Sequence, residues 1–354
     1  MVQAVNRVDS PSPAHPPAHT PAHPAGRLYE LDLLRFVAAA AVVFFHLGFL
    51  GSESTGPQPS DLLAPVAKYG YLGVDFFFIL SGYVIARSAL HRSAPRFTQA
   101  RLVRLLPGYL TAVAATSVAV ILSGDQISLA RLAANITFTQ RLFSQPFIDG
   151  AYWSLLIELH FYAIVAVLIA TRLVSRLEAF AYAWLGITLV LRFLDPPAWA
   201  QTLVILPFAH LFVAGILFSA LAADRRASPV RVVGLALCLA VGLIQATAQA
   251  EELTNATREF SPTVASVATA SFFALFTLIS LRGIPSLRRP AFATLGAASY
   301  PLYLLHQEIG YRVYDAWQGP FWVMFPVLFV LLTAASHLVS TTIEAPVAER
   351  FRRR

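Results

Sequence analysis

The chain has 354 residues, 57% of them hydrophobic and only 13% charged, with a formal net charge of +7 at pH 7 and a mean hydropathy of +0.63. That balance excludes an ordinary soluble globular domain and points to burial in a bilayer. A helix needs about 20 mostly apolar residues to cross roughly 30 Å of hydrocarbon, so the chain has room for about ten spans and none for a further soluble domain of ordinary size.

Residues 1–26 are rich in Pro, Ala and His, and read as a disordered tail. The prolines break any helix that would align His15, His19 and His23, so no metal-ligand set is read there. No basic stretch followed by a short apolar run and a small-residue cleavage site is present, so the first apolar segment is expected to stay in the protein. Residues 27–354 then form one transmembrane domain. Apolar runs lie at about 30–50, 70–88, 107–123, 152–171, 178–194, 201–220, 230–248, 263–281, 291–311 and 320–343. Continuous runs of this length satisfy their backbone hydrogen bonds as helices, whereas a barrel would need shorter alternating segments. The expected fold class is all-α, a polytopic membrane bundle of about ten transmembrane helices. Paired short or broken spans are not visible in this pattern.

Loop charge sets the orientation, because Lys and Arg are retained on the cytoplasmic side. With the N-terminus inside, 19 of the 26 basic residues fall at the inner face and five at the outer. Both termini are therefore expected in the cytoplasm, with the protein a multi-pass membrane protein. The net positive charge is accounted for by these arginines, and no nucleic-acid module is seen. The one cysteine, Cys238, lies in an apolar run and reads as a small core residue. The sequons at Asn135 and Asn255 fall in expected outer loops and read as chance matches.

Ionisable groups within spans are costly and mark functional sites by default. Four groups stand out. Asp32 and Arg35 open the first span, and eleven residues after Arg35 comes His46, on the same helix face about 16 Å further along. Arg35 would pair with Asp32, and His46 would lie in the outer half of the bilayer. In the fourth span, Ser154, Glu158 and Tyr162 recur at intervals of four and form one polar stripe beside Trp153. In the ninth, Ser299, Tyr303, His306 and Gln307 share a face, and Pro301 would kink it. Counted from their own span ends, His46, Glu158 and His306 reach similar depths, so one shared polar site is expected. The fourth group, Arg101 and Arg104, sits where the most basic loop enters the third span. Guanidinium forks suit phosphate oxygens, although positive-inside bias alone would also place arginines there.

Taken together these groups resemble the acyltransferase-3 family of membrane O-acyltransferases. The resemblance rests on Arg35-x10-His46 after Leu31-Asp32, and on Gly73-Val74-Asp75-Phe76-Phe77-Phe78-Ile79-Leu80-Ser81-Gly82-Tyr83. Trp153-Ser154-Leu155 with Glu158, Tyr300-Pro301-Leu302-Tyr303-Leu304-Leu305-His306 and Glu344-Ala345-Pro346 follow in order. It covers about residues 27–354. Relatives often carry two adjacent basic residues where this chain has Ala100-Arg101. The resemblance implies transfer of an acyl group, acetyl by default, from acyl-CoA to a hydroxyl of a carbohydrate or related acceptor. It makes His46 and Arg35 the essential pair and Arg101 and Arg104, with Tyr109 nearby, the donor site. Acyl-CoA would be a co-substrate, with no permanently bound cofactor and no metal.

Acyl transfer to an alcohol needs a base, and His46, with an ordinary pKa of about 6.5, suits that role. Glu158 or Asp75 would orient it, and Tyr303 or His306 would donate to the oxyanion. Ser81, Trp153 and Ser154 complete the polar surroundings. The rival class is a secondary transporter or flippase for a glycan or lipid-linked substrate, in which the same buried groups would relay protons or bind cargo.

Overall fold

The computed structural model describes residues 28–50, 63–90, 92–256, 259–317 and 319–352, so the expected tail at 1–26 lies outside the described residues. Among them there are helices and no strands. In chain order the α-helices are α1 (Tyr29–Gly48), α2 (Ala64–Ala67), α3 (Gly73–Ala89), α4 (Ala94–Leu122), α5 (Leu129–Ile136), α6 (Tyr152–Ala170), α7 (Leu177–Leu191) and α8 (Ala198–Leu203). They continue with α9 (Ala209–Asp224), α10 (Pro229–Ala256), α11 (Pro262–Leu281), α12 (Phe292–Leu305), α13 (Gln307–Ala316), α14 (Phe321–Val339) and α15 (Ala345–Arg352).

Eight segments, containing α1, α3, α4, α6, α7, α10, α11 and α14, are long and apolar enough to cross a bilayer, and α9 and α12 are shorter apolar helices. All ten expected runs are thus helical, and the protein is a polytopic helical membrane protein. Three details differ from the sequence reading. The sixth run is the short α8, a turn and the 16-residue α9. The ninth is broken at His306, between α12 and α13. Broken and short spans are therefore present, and their supposed absence no longer weighs against a transporter. The third run belongs to α4, which begins at Ala94, well before Pro107, which lies inside it. A proline inside a helix leaves the carbonyl four residues earlier, here that of Val103, without its helical N–H, a loss that a membrane bundle tolerates. Arg101 and Arg104 are consequently helical residues, one turn apart on α4, and not part of a loop.

The bundle has an inner layer and a lipid-facing one. A helix that is apolar all round is buried, and in α9 every residue from Ala209 to Ser219 is. It crosses α3 closely enough that a Cβ on Gly82 would strike the Phe212 carbonyl, and one on Gly215 the Ile79 carbonyl. Small residues at such crossings let backbones approach, which is the main source of helix association in lipid. Outer helices carry exposed aliphatics, among them Val118 and Ile121 on α4, Val190 on α7, Val233 and Ile244 on α10, and Val330 and Leu331 on α14. The polar groups of α1, α3, α4, α6 and α12 face inward, which is what places the site.

Candidate active site

At one end of the bundle a cavity of about 150 Å³ opens between α1, α3, α4, α6 and α12. Its lining carries Arg35, Arg101 and Arg104 as well as Ser81, Glu158 and Tyr162. Arg35 is held by Asp32, one turn earlier on α1, at 3.3 Å, as the sequence spacing predicts. Arg104 is not free: its Nη1 donates to the buried Glu344 at 2.6 Å. Glu344 is carried to it by a π-helical turn, Ser340–Glu344, and presses against Gly108. Arg101 makes a different set of contacts. Its guanidinium lies 5.6 Å from the Phe97 ring and 5.9 Å from that of Tyr162, and its buried Nε has no hydrogen-bond partner.

Deeper in, the stripe on α6 is realised. Glu158 Oε1 accepts from Ser81 on α3 at 2.7 Å and from Tyr162, one turn along, at 2.6 Å. One turn the other way, about 6 Å on, the Ser154 and Tyr303 hydroxyls meet at 2.7 Å and both reach the Ala151 carbonyl. Ser154 and Tyr303 close the cavity, which His46 and His306 do not line.

Beyond Tyr303 the two histidines touch. His306 Nε2 lies 3.0 Å from His46 Nδ1, and His306 Nδ1 lies 2.7 Å from the Tyr303 carbonyl. His46 Nδ1 is also 3.0 Å from the carbonyl of Val42, one turn back on α1. His306 is fully buried, whereas His46 is partly exposed. The helix break that presents His306 is supported from afar. Asp149, fully buried just before α6, accepts from the Ala151 amide at 2.8 Å and from the Glu308 amide in the first turn of α13 at 2.9 Å. It satisfies an amide that the interrupted helix leaves orphaned. Burial pushes the Asp149 carboxyl up to about 7, against the two backbone amides, which pull it down.

Several expectations need revision. His46 and His306 do share one level, but Glu158 belongs to the cavity below, separated from them by the Ser154–Tyr303 bond. The His46 ring takes its contacts from Val42 and His306, so neither Glu158 nor Asp75 orients it; Asp75 is partly exposed in the first turn of α3. His306 has both nitrogens engaged and no free N–H for an oxyanion. Tyr109 does not line the cavity that Arg101 and Arg104 line. Its hydroxyl donates to the Asn135 carbonyl at 2.7 Å and its ring stacks on Phe138 at 4.2 Å. Trp153 packs against Phe78 and Phe208 rather than lining the cavity. Asn135 is fully buried and bonded to the Arg131 and Pro146 carbonyls, so that sequon is not an accessible acceptor, while the Asn255 side chain lies outside the described residues.

Sequence reasoning missed Asp149 and gave Tyr162, Tyr300 and Glu344 no role at the site. Asp149-Gly150 just before the Tyr152 helix start is a capping signal in the sequence, but its use by α13 is a tertiary contact.

An inward-facing ladder of polar groups within a lipid-facing helical bundle defines an integral membrane protein with an intramembrane reaction or transport site. The model of the acyltransferase-3 family, described as an acyltransferase domain, matches residues 28–344, and the chain belongs to that family. A putative membrane-bound transacylase of Komagataeibacter xylinus, BcsY, is 33% identical over 192 residues, which is 46% of this chain and 45% of the relative. The match thus spans about half the length of that relative. No solved structure matches.

Proposed function

We propose that the protein moves an acyl group, acetyl by default, from cytoplasmic acyl-CoA to a hydroxyl of a carbohydrate or related acceptor at the far face of the bacterial inner membrane. The observation that carries this reading is the arginine-mouthed cavity running inward to within one side chain of the histidine pair. Arg101, with no hydrogen bond to its Nε, offers its guanidinium fork to the phosphates of the donor. Arg104 joins it where the anion competes with Glu344. The pantetheine arm then lies along the cavity past Glu158. Its thioester reaches His46 only if the Tyr303 and Ser154 side chains part, so donor binding includes that displacement.

In the reaction the acceptor O–H bond breaks as His46 takes the proton, and the oxygen attacks the thioester carbonyl. The C–S bond then breaks, and the thiolate leaves with the proton returned from His46. General-base help of this kind is worth about 10² to 10⁴ in rate. The broken α12–α13 span supports the transporter reading in its turn, since interrupted helices line substrate sites in such proteins. The experiment that separates them is transfer of a labelled acyl group from acyl-CoA by purified protein with candidate sugar acceptors. Transfer that disappears in His46→Ala supports the enzyme; an untouched thioester with transport of the glycan overturns it.

A further inference from the structure

We propose that His306 is the positioning residue of the base, holding His46 in the tautomer whose Nε2 carries the free lone pair, with Nε2 the atom that accepts the acceptor's proton. The inference rests on reading His46 as the base and deepens it by naming the reacting atom and its support.

The assignment follows from which partners accept. Hydrogens are inferred from the network, and a carbonyl oxygen only accepts. His306 Nδ1, at 2.7 Å from the Tyr303 carbonyl, must therefore carry its hydrogen, and in a neutral ring that leaves a lone pair on Nε2. His46 Nδ1, facing both that lone pair and the Val42 carbonyl at 3.0 Å each, must likewise be N–H. One hydrogen is shared between two acceptors. The remaining nitrogen of His46, Nε2, is the only basic atom of the pair not turned toward an acceptor.

What His306 adds to Val42 is a second acceptor from another helix, which fixes ring rotation as well as tautomer. Hydrogen bonds at one atom from α1 and from the α12–α13 junction leave the imidazole a single orientation. When His46 takes the acceptor's proton at Nε2 it becomes a cation, and its Nδ1–H still points at the His306 lone pair. The bond is then charge-assisted, and such bonds are roughly twice as strong as neutral ones. The pair thus stabilises the protonated base more than the neutral one, which is the differential a catalyst needs. An ionised carboxylate would do the same more strongly, but keeping an unpaired charge in the bilayer core is costly. A neutral imidazole supplies the lone pair without that charge. The break after α12 serves this geometry: it ends the helix at Leu305, with Asp149 taking the Glu308 amide beyond it.

The test compares His306→Leu, which removes the acceptor, with His306→Gln, whose Oε1 occupies the level of the lost Nε2. Each is made alone and in a His46→Ala background, in full-length detergent-purified protein with thermal unfolding followed. The expected result is a fall in kcat of about 10²-fold for His306→Leu with KM for the acyl donor unchanged. His306→Gln stays within about tenfold of the parent, and His306→Leu causes no further loss once His46 is Ala. Should the Leu variant fail to fold, a folded His306→Gln variant within that tenfold supports the assignment by itself, and one that has lost more than 10²-fold overturns it. Equal loss in Gln and Leu, no loss in either, or the same proportional loss without His46 also overturns the positioning role. Full transfer by His46→Ala alone overturns instead the base reading beneath it.

Discussion

Arg104 on α4 and Glu344 at the far end of the chain are 240 residues apart and joined by a 2.6 Å ion pair. The pair separates two arginines that the sequence treats alike. Glu344 is buried, and its other carboxylate oxygen has no partner, so removing Arg104 leaves an uncompensated carboxylate. For a fully buried pair that costs about 3–5 kcal/mol, but the Arg104 side chain is 43% exposed and the expected loss is roughly 1–2 kcal/mol. Arg101 has no ion pair to lose. Arg101→Ala should therefore leave the unfolding temperature nearly unchanged and raise KM for acyl-CoA about tenfold or more, the value of a charge-assisted bond to phosphate. Arg104→Ala should lower both stability and donor affinity. Thermal unfolding and donor titration on both variants check this, and a stable Arg104→Ala protein would contradict it.

The Tyr303 hydroxyl, bonded to Ser154 at 2.7 Å, is the last barrier between the cavity and the histidines. Tyr303→Phe keeps the ring and removes the bond, which costs about 1 kcal/mol of stability. Because the Tyr303–Ser154 bond must already part for the thioester to reach His46, a hydroxyl that serves only to close the cavity can be removed with kcat within a few-fold of the parent. Loss of an oxyanion donor would instead lower kcat by about 10² to 10³, and single-turnover transfer of a labelled acyl group distinguishes the two outcomes.

Local spacing carried what one helix can carry. Asp32 with Arg35, and Glu158 with Tyr162, are bonded as three- and four-residue intervals predict. The same rule explains the failure at Tyr109. Five residues beyond Arg104 turn it about 140° around α4, toward Asn135 and away from the cavity. The break at His306 was not legible because no Gly or Pro marks it in Leu304-Leu305-His306-Gln307, and the group that caps Glu308 lies 159 residues earlier. Equal depths for His46, Glu158 and His306 were computed from uncertain span ends, and a turn of error is enough to merge two levels. The base's partner likewise depended on how α1 and α12 cross, which sequence spacing does not encode.

Glu158 tests whether the lower level acts on the base at all. Its Oε1 receives both Ser81 and Tyr162, and Glu158→Gln preserves an acceptor there while removing the charge. With His46 oriented by Val42 and His306, kcat in Glu158→Gln should fall less than about tenfold. The donor KM should not rise, because a negative group has left the path of an anionic substrate. A fall in kcat as deep as that of His46→Ala would show that the carboxylate reaches the base during turnover. Steady-state kinetics over donor concentration resolves both parameters.

Asp149 predicts a pH signature in stability that is separate from chemistry. Burial raises its folded pKa from 3.8 to about 7, so the fold prefers the protonated carboxyl. Its contribution is therefore fully present below about pH 3.8 and is lost progressively as pH rises through about 7. Asp149→Asn cannot ionise and keeps one acceptor for the two amides it now serves. The variant should lose on the order of 1 kcal/mol from the α13 cap at low pH. The parent's advantage should then shrink or reverse toward pH 8, as ionisation penalises only the carboxyl. The difference between their unfolding temperatures across pH 4–8 isolates this group from every other titration. A difference that stays constant with pH would mean that Asp149 has the same protonation in the folded and unfolded protein, with the two amides offsetting burial.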